Sequence, residues 1–200
     1  SCCENNVSSY NLGNQIRDNF TIIVLPDTQF YTSNMNGGSP SLFNAQTKWI
    51  VENIDFLNIV FVSHLGDCAQ NGDTFIAEWE ACNEALSFLE DNLTTNLQYG
   101  IPFGMSVGNH DQTPIGDASG TTNYYNQYFG SERFKDRDYY GGHFGSTNDN
   151  SFQFFSASNL DFIVINLEYD LNQNSEVLEW ADGLLKQYDN HLAILVSHSI

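Results

Sequence analysis

Four short apolar runs, each stopping at polar groups with ligand chemistry, restrict this chain more than any other feature. Ile22-Ile23-Val24-Leu25 runs into Pro26-Asp27-Thr28-Gln29, Ile59 to Val62 into Gly66-Asp67, Ile101 to Val107 into Gly108-Asn109-His110-Asp111, and Leu192 to Val196 into Ser197-His198. A short continuous apolar run is the pattern of a buried parallel strand. In open α/β sheets, ligands bind in the crevice outside the carboxyl ends of the strands. The four polar ends therefore point to one shared crevice.

Helical periodicity fills the intervals. Leu42 to Ile54 carries Phe43, Gln46, Trp49 and Ile50 close to helical spacing, and Phe75, Trp79, Cys82, Leu86, Leu89 and Leu93 recur at steps of three and four. Asp73 or Thr74 stands where it would cap the second of these helices. The result is a β-α-β-α-β series and a partly parallel sheet. Residues 112–150 are rich in Gly, Tyr, Asn and Asp, with a short helix near Tyr124 to Phe129. So long a connection tends to be functional, and its aromatic residues are expected to pack it down as a wall of the crevice. Phe152 to Ser156 and Phe162 to Asn166 read as an antiparallel pair, and Val177 to Tyr188 as a helix before the last strand. Residues 1–18 read as a polar tail or tether in which Cys2 and Cys3 are candidates for lipidation or processing, and residues 19–200 read as one domain.

Charge narrows the classes of partner. Lys plus Arg is 6 against 25 for Asp plus Glu, a formal net charge of −19, which argues against a nucleic-acid backbone and favours cations. Small phosphorylated substrates fit if a metal neutralises the site locally. No apolar run is long enough for a transmembrane helix. The four cysteines lack C-x-x-C spacing; Cys68 and Cys82 are open to a disulfide or to two free thiols, because bridging depends on a distance that sequence does not contain. Composition, with many Asn, Ser, Thr and Tyr and few Lys, suggests a secreted, periplasmic or envelope-associated protein.

Asp27, Asp67, Asn109 and His198 are an oxygen-and-imidazole set suited to zinc, manganese or iron more than to calcium. At this point the sequence resembles the calcineurin-like metallophosphoesterase superfamily, whose ordered pattern is D-x-H, G-D-x-x, G-N-H-[DE], a later His and G-H-x-H. Here the corresponding pieces are Asp27-Thr28-Gln29, Gly66-Asp67-Cys68-Ala69, Gly108-Asn109-His110-Asp111 and Ser197-His198. The resemblance implies a layered αββα sandwich of mixed sheets within the α/β class, truncated here before the final motif.

It further implies two divalent metal ions (Mn, Zn or Fe), bridged by Asp67, with Asp27 and Gln29 on the first and Asn109 and His198 on the second. Gln29 stands where the pattern has His, which would weaken that first site. The implied activity is hydrolysis of a phosphate monoester or diester by a metal-bridging hydroxide, since two cations neutralise the phosphoryl oxygens and acidify a water. His110 would act on the substrate as a catalytic residue, with Asp111 orienting it or capping its loop, and His143 is a candidate substrate contact. Gln70 occupies the position of the tyrosine ligand of purple acid phosphatases, which sets that branch aside. His64 is expected to pack beside its strand. The alternative is a binding module that keeps the fold and has lost catalysis.

Overall fold

The computed structural model describes residues 19–172 and 174–198. The proposed tail, with Cys2 and Cys3, lies outside the described residues. In chain order the elements are β1 (Thr21–Leu25), α1 (Gln29–Thr32), α2 (Pro40–Glu52), α3 (Ile54–Leu57), β2 (Ile59–His64), α4 (Ile76–Glu90), α5 (Asn92–Thr95), β3 (Phe103–Met105), α6 (Asn123–Phe129), α7 (Ser131–Phe134), β4 (Tyr140–His143), β5 (Ser151–Ala157), β6 (Leu160–Leu167), α8 (Ser175–Gln187) and β7 (Leu192–Ser197). The fold is α/β, with two separate sheets.

The first sheet has the order β1-β2-β3 and is parallel throughout; the second has the order β4-β5-β6-β7, with β6 and β7 parallel and the other pairs antiparallel. The four apolar runs thus do not form one sheet. Three belong to the first sheet and the fourth, β7, belongs to the second. β2, central in its sheet, and β3 are buried along almost their whole length. The other two runs are more exposed: β1 buries only Leu25, and β7 buries Val196 while exposing Leu192 and Leu195.

Three apolar clusters hold these elements together. In the first, Phe43 and Ile50 of α2 and Trp79, Cys82, Leu86 and Leu89 of α4 meet Val62, Phe103 and Met105 of the first sheet. Between the sheets lie Phe61, Phe155, Phe162, Val164 and Val196. Behind the second sheet, Ala181 and Leu184 of α8 cover Phe152, Ile163 and Ile165. Each fully buried large side chain contributes roughly 1.5–3 kcal/mol of transfer free energy. The interval-three-and-four stripes on α2, α4 and α8 are what present these residues together.

Polar groups of the second sheet also project into the space between the sheets. Asn166 donates from Nδ2 to Gln153 Oε1 at 2.6 Å. A Cβ on Gly104 would lie 2.4 Å from that same Oε1, so the glycine gives the pair its space. Gly104 is a strand residue whose missing side chain is filled from the opposite sheet.

Several local expectations are corrected. Phe75 and Leu93 are exposed and lie outside α4. Asp73 caps no residue of α4; its carboxylate accepts from the N–H groups of Asn123 and Tyr124 at 3.0 and 2.7 Å, at the start of α6. The aromatic residues pack the insertion down as expected: Tyr125, Phe129, Phe134 and Tyr139 are buried in the same cluster as Trp79. Their burial removes large apolar surfaces from water.

Cys68 and Cys82 form a disulfide with a Cα separation of 6.3 Å and a sequence separation of 14. It ties the turn after β2 to α4. Loop-closure entropy for a bridge of this span is worth about 3 kcal/mol. A Cys82→Ala variant should therefore lose about 2–4 kcal/mol of unfolding free energy in urea titrations, and an unchanged midpoint would show that the bridge contributes nothing.

Candidate metal centre

The carboxyl ends of β1, β2, β3 and β7 meet around Asp67. This residue is buried and adopts a left-handed backbone with φ 54, immediately after Gly66 at φ 101. A non-glycine residue in that region is held there by its surroundings, and such strain gathers at functional sites. The surroundings here are explicit. A Cβ on Gly108 would fall 2.2 Å from Asp67 Oδ1, and one on Gly66 would fall 2.7 Å from the Gly108 nitrogen. Two glycines back to back let the turns after β2 and β3 touch, and Asp67 fills the gap between them.

The turn carrying Asp67 is pinned along its length. Asp111, fully buried, accepts from the N–H groups of Cys68, Ala69 and Gly108 at 2.8, 3.0 and 2.9 Å. Glu78 accepts from those of Gln70 and Asn71. Burial, followed by the neighbouring Asp67 charge, pushes the Asp111 carboxyl up to about 7 against the pull of its three donors. Asp111 is thus a brace between two turns. Of its two expected roles, Asp111 takes that of capping the loop, through the Gly108 N–H, and its oxygens make no hydrogen bond to His110 among the described residues.

His110 is oriented by the backbone. Its N–H donates to Asp67 Oδ1 at 2.8 Å, and its ring Nδ1 lies 2.9 Å from the Gln70 carbonyl, an acceptor, so Nδ1 carries the proton. Nε2 is then the acceptor nitrogen of the ring. Asn109, next to it, has no hydrogen bond from its side-chain amide among the described residues, while its carbonyl accepts from Gly116 at 2.9 Å.

Asp27, Asp67 and His198 each present one ligand atom such that all three lie within 4.8 Å of one another. His198 Nδ1 donates to the Leu65 carbonyl at 3.0 Å, and Nε2 faces Asp67 Oδ2 at 3.3 Å. The hydrogen bond to Asp67 is the main reason the His198 imidazole is raised to about 9. Gln29 is buried on α1, and its Oε1 has no hydrogen-bond partner among the described residues. An orphaned buried amide oxygen two residues along the chain from Asp27 suits a divalent cation, which would satisfy it. The donor set fits a metal on chemistry alone. No described lysine or arginine competes for the position: Lys48 lies over Phe88, Arg133 and Arg137 pair with Glu90, and Lys135 and Lys186 pair with nearby carboxylates.

His143 stays outside this group. It sits on β4 with Nδ1 2.9 Å from the Tyr140 hydroxyl, which donates to Asn148 Oδ1. That hairpin contact is its described polar partner, and nothing brings it to the Asp67 turn.

Two further residues stand at the site: His64, expected to pack beside its strand, and Tyr169. His64 is fully buried; the Gly66 N–H donates to its Nδ1 at 3.1 Å, so Nε2 bears the proton and donates to Thr28 Oγ1 at 3.0 Å. One imidazole therefore joins the Asp27 loop to the Asp67 turn. Tyr169, after β6, packs edge-on to His198 with ring centroids 6.1 Å apart. Its signal was present: β6 is a fifth apolar run, ending in Glu168-Tyr169-Asp170, and it lies parallel to β7.

Comparisons with known proteins leave the function open. No protein-family model matches the chain. The uncharacterized protein YvnB of Bacillus subtilis (strain 168) is 30% identical over 182 residues, covering 91% of this chain and 13% of that protein. The chain spans only that small part of the curated relative's length. Among solved structures, GAP50, the anchor in the inner membrane complex of Plasmodium, aligns with a TM-score of 0.42 and 16% identity, over 88% of this chain and 53% of that one.

His64 also sets a pH dependence. Burial lowers it from 6.5 to about 4, so between those values the unfolded chain takes a proton that the folded chain refuses. Its contribution is present above pH 6.5 and is lost as pH falls towards 4, with a total of roughly 3 kcal/mol. Unfolding free energies measured across that window should fall more steeply for the wild type than for His64→Gln. Parallel curves would remove His64 as the cause.

Proposed function

We propose that this chain is the catalytic domain of a metal-dependent phosphoesterase that hydrolyses small phosphate monoesters or diesters. The observation that carries the reading is the convergence of Asp27, Asp67 and His198 within 4.8 Å of one another, at strand ends drawn from both sheets. The order helix, sheet, sheet, helix in the three apolar clusters agrees with the αββα layering that the calcineurin-like resemblance implies. The buried, unpartnered Gln29 oxygen supports its proposed place among the ligands.

Asp27, Gln29 and Asp67 would hold one divalent cation, and Asp67, Asn109 and His198 a second. When bound, the cations neutralise phosphoryl oxygens and lower the pKa of a coordinated water. The remaining duties belong to this chain. Asp67 offsets the repulsion between two dications, which a neutral side chain would not do. The Leu65 carbonyl fixes the His198 tautomer so that Nε2 faces the centre, the usual arrangement for a ligating histidine. His110, anchored through its Nδ1–H to the Gln70 carbonyl, would present Nε2 to the ester and, with both ring nitrogens protonated, donate a hydrogen bond or proton from Nε2 to the departing oxygen. The glycine turns at Gly66 and Gly108 keep these groups in place before substrate arrives.

The disulfide supports an exported location, since such bonds persist in oxidising compartments. An acid-rich surface favours small, locally neutralised substrates over polyanions. A second reading rests on Gln29, a neutral amide where the family pattern has imidazole: a weakened first site would leave a metal-binding module without turnover.

The test is hydrolysis of p-nitrophenyl phosphate and bis(p-nitrophenyl) phosphate with added manganese or zinc. The wild type should turn over at least one ester, and Asp67→Ala should lose bound metal and activity together, by at least 100-fold, about 3 kcal/mol of transition-state stabilisation. Metal binding without hydrolysis would favour the module. Undiminished activity in Asp67→Ala would remove the proposed centre.

A further inference from the structure

Tyr169 has a geometry that the proposed ligands do not explain. Its backbone is clamped from both sides: the N–H donates to the Val107 carbonyl at 2.9 Å, and its carbonyl accepts from Gln112 Nε2 at 2.7 Å. The first contact ties the end of β6 to the residue just before Gly108-Asn109-His110. The second ties it to the residue just after Asp111. Few loop residues are fixed so directly to a candidate centre.

The ring lies at that centre too. It packs edge-on to His198 at 6.1 Å and 66°. On its other side, a Cβ on Gly116 would stand 3.7 Å from Tyr169 Cε1 and 4.0 Å from Asn109 Cβ. The ring therefore stands close to both proposed ligands of the second cation, with Gly116 leaving about a methyl's width between it and Asn109. Gly116 also lines a polar cavity of ≈ 400 Å³, together with Glu168 and Asp170, the chain neighbours of Tyr169. The ring is half-buried, and its hydroxyl makes no hydrogen bond among the described residues. A phenylalanine would give the same packing on His198, so packing does not account for the hydroxyl.

We propose that Tyr169 is a substrate-positioning residue whose phenol O–H donates to an oxygen of the bound phosphate, while the cavity beside Gly116 takes the alcohol portion of the ester. This rests on the phosphoesterase reading. The rigid backbone clamp supplies preorganisation, so little side-chain freedom is lost when the ester binds. A hydrogen bond to a charged group is worth about 1.5–3 kcal/mol, or about 10- to 100-fold in affinity.

Inorganic phosphate is the probe. Its affinity for the manganese-loaded full chain, measured by calorimetry, should fall at least about 10-fold in Tyr169→Phe, with metal content and thermal midpoint equal to wild type. In steady-state assays on p-nitrophenyl phosphate, KM should rise by a similar factor while kcat changes less than about threefold. A purely structural ring would leave both phosphate affinity and KM unmoved in this isosteric variant. Equal phosphate affinity in wild type and Tyr169→Phe overturns the proposal. Lack of turnover by the wild type would overturn the phosphoesterase reading instead, and the calorimetric comparison would still decide the role of Tyr169.

Discussion

Asp67 carries a buried carboxylate on a left-handed backbone, and most of the structure around it exists to keep it there. Gly66 and Gly108 make room, the His110 N–H donates to one oxygen, and His198 faces the other. Asp111, Glu78 and the Cys68–Cys82 bridge hold the turn from behind. A buried anion is costly unless hydrogen-bonded and paired. In this fold the available counter-charge is the His198 proton or a bound cation, because the described lysines and arginines are committed elsewhere. The raised His198 imidazole expresses that balance: without metal, a proton does part of a cation's work.

The two-sheet architecture follows from the same requirement. Asp27 and Asp67 leave strands of the parallel first sheet, whereas His198 leaves β7 of the second. Bringing them within reach needs the sheets packed face to face, which Phe61, Phe155, Phe162 and Val164 accomplish. The Gln153–Asn166 pair, hydrogen-bonded within the second sheet, fills the place that Gly104 leaves empty. His64 performs the equivalent task within the first sheet by linking Thr28 to Gly66. Packing and site geometry are therefore one problem here, and a loss of registry between the sheets would separate the ligands.

Much of this was legible from residue order alone, and the reasons differ by feature. The strand ends at Asp27, Asp67, Asn109 and His198 stood out because a buried strand needs a continuous apolar run and a site needs polar atoms directly after it. The helices α2, α4 and α8 were visible in their stripes. What sequence could not show were partnerships fixed by distance through space. Asp73 looked like a cap for the helix beside it, yet its donors are Asn123 and Tyr124, fifty residues further on. Asp111 sits next to His110 in sequence but spends its oxygens on Cys68 and Ala69. The aromatic residues of the insertion signal that it packs down, but the partner they pack against, Trp79, is set by distance through space. Tyr169 was overlooked because β6 was taken as half of a hairpin, which hid that its end opens beside β7.

Cation binding at the strand ends around Asp67, as proposed, is tested by manganese titration followed by electron paramagnetic resonance. Free manganese gives a sharp six-line spectrum, and a bound ion loses that amplitude. The wild-type chain near neutral pH should suppress the signal saturably, with added zinc restoring it by displacement. A full six-line signal at every protein concentration, with none of the manganese bound, would contradict the account.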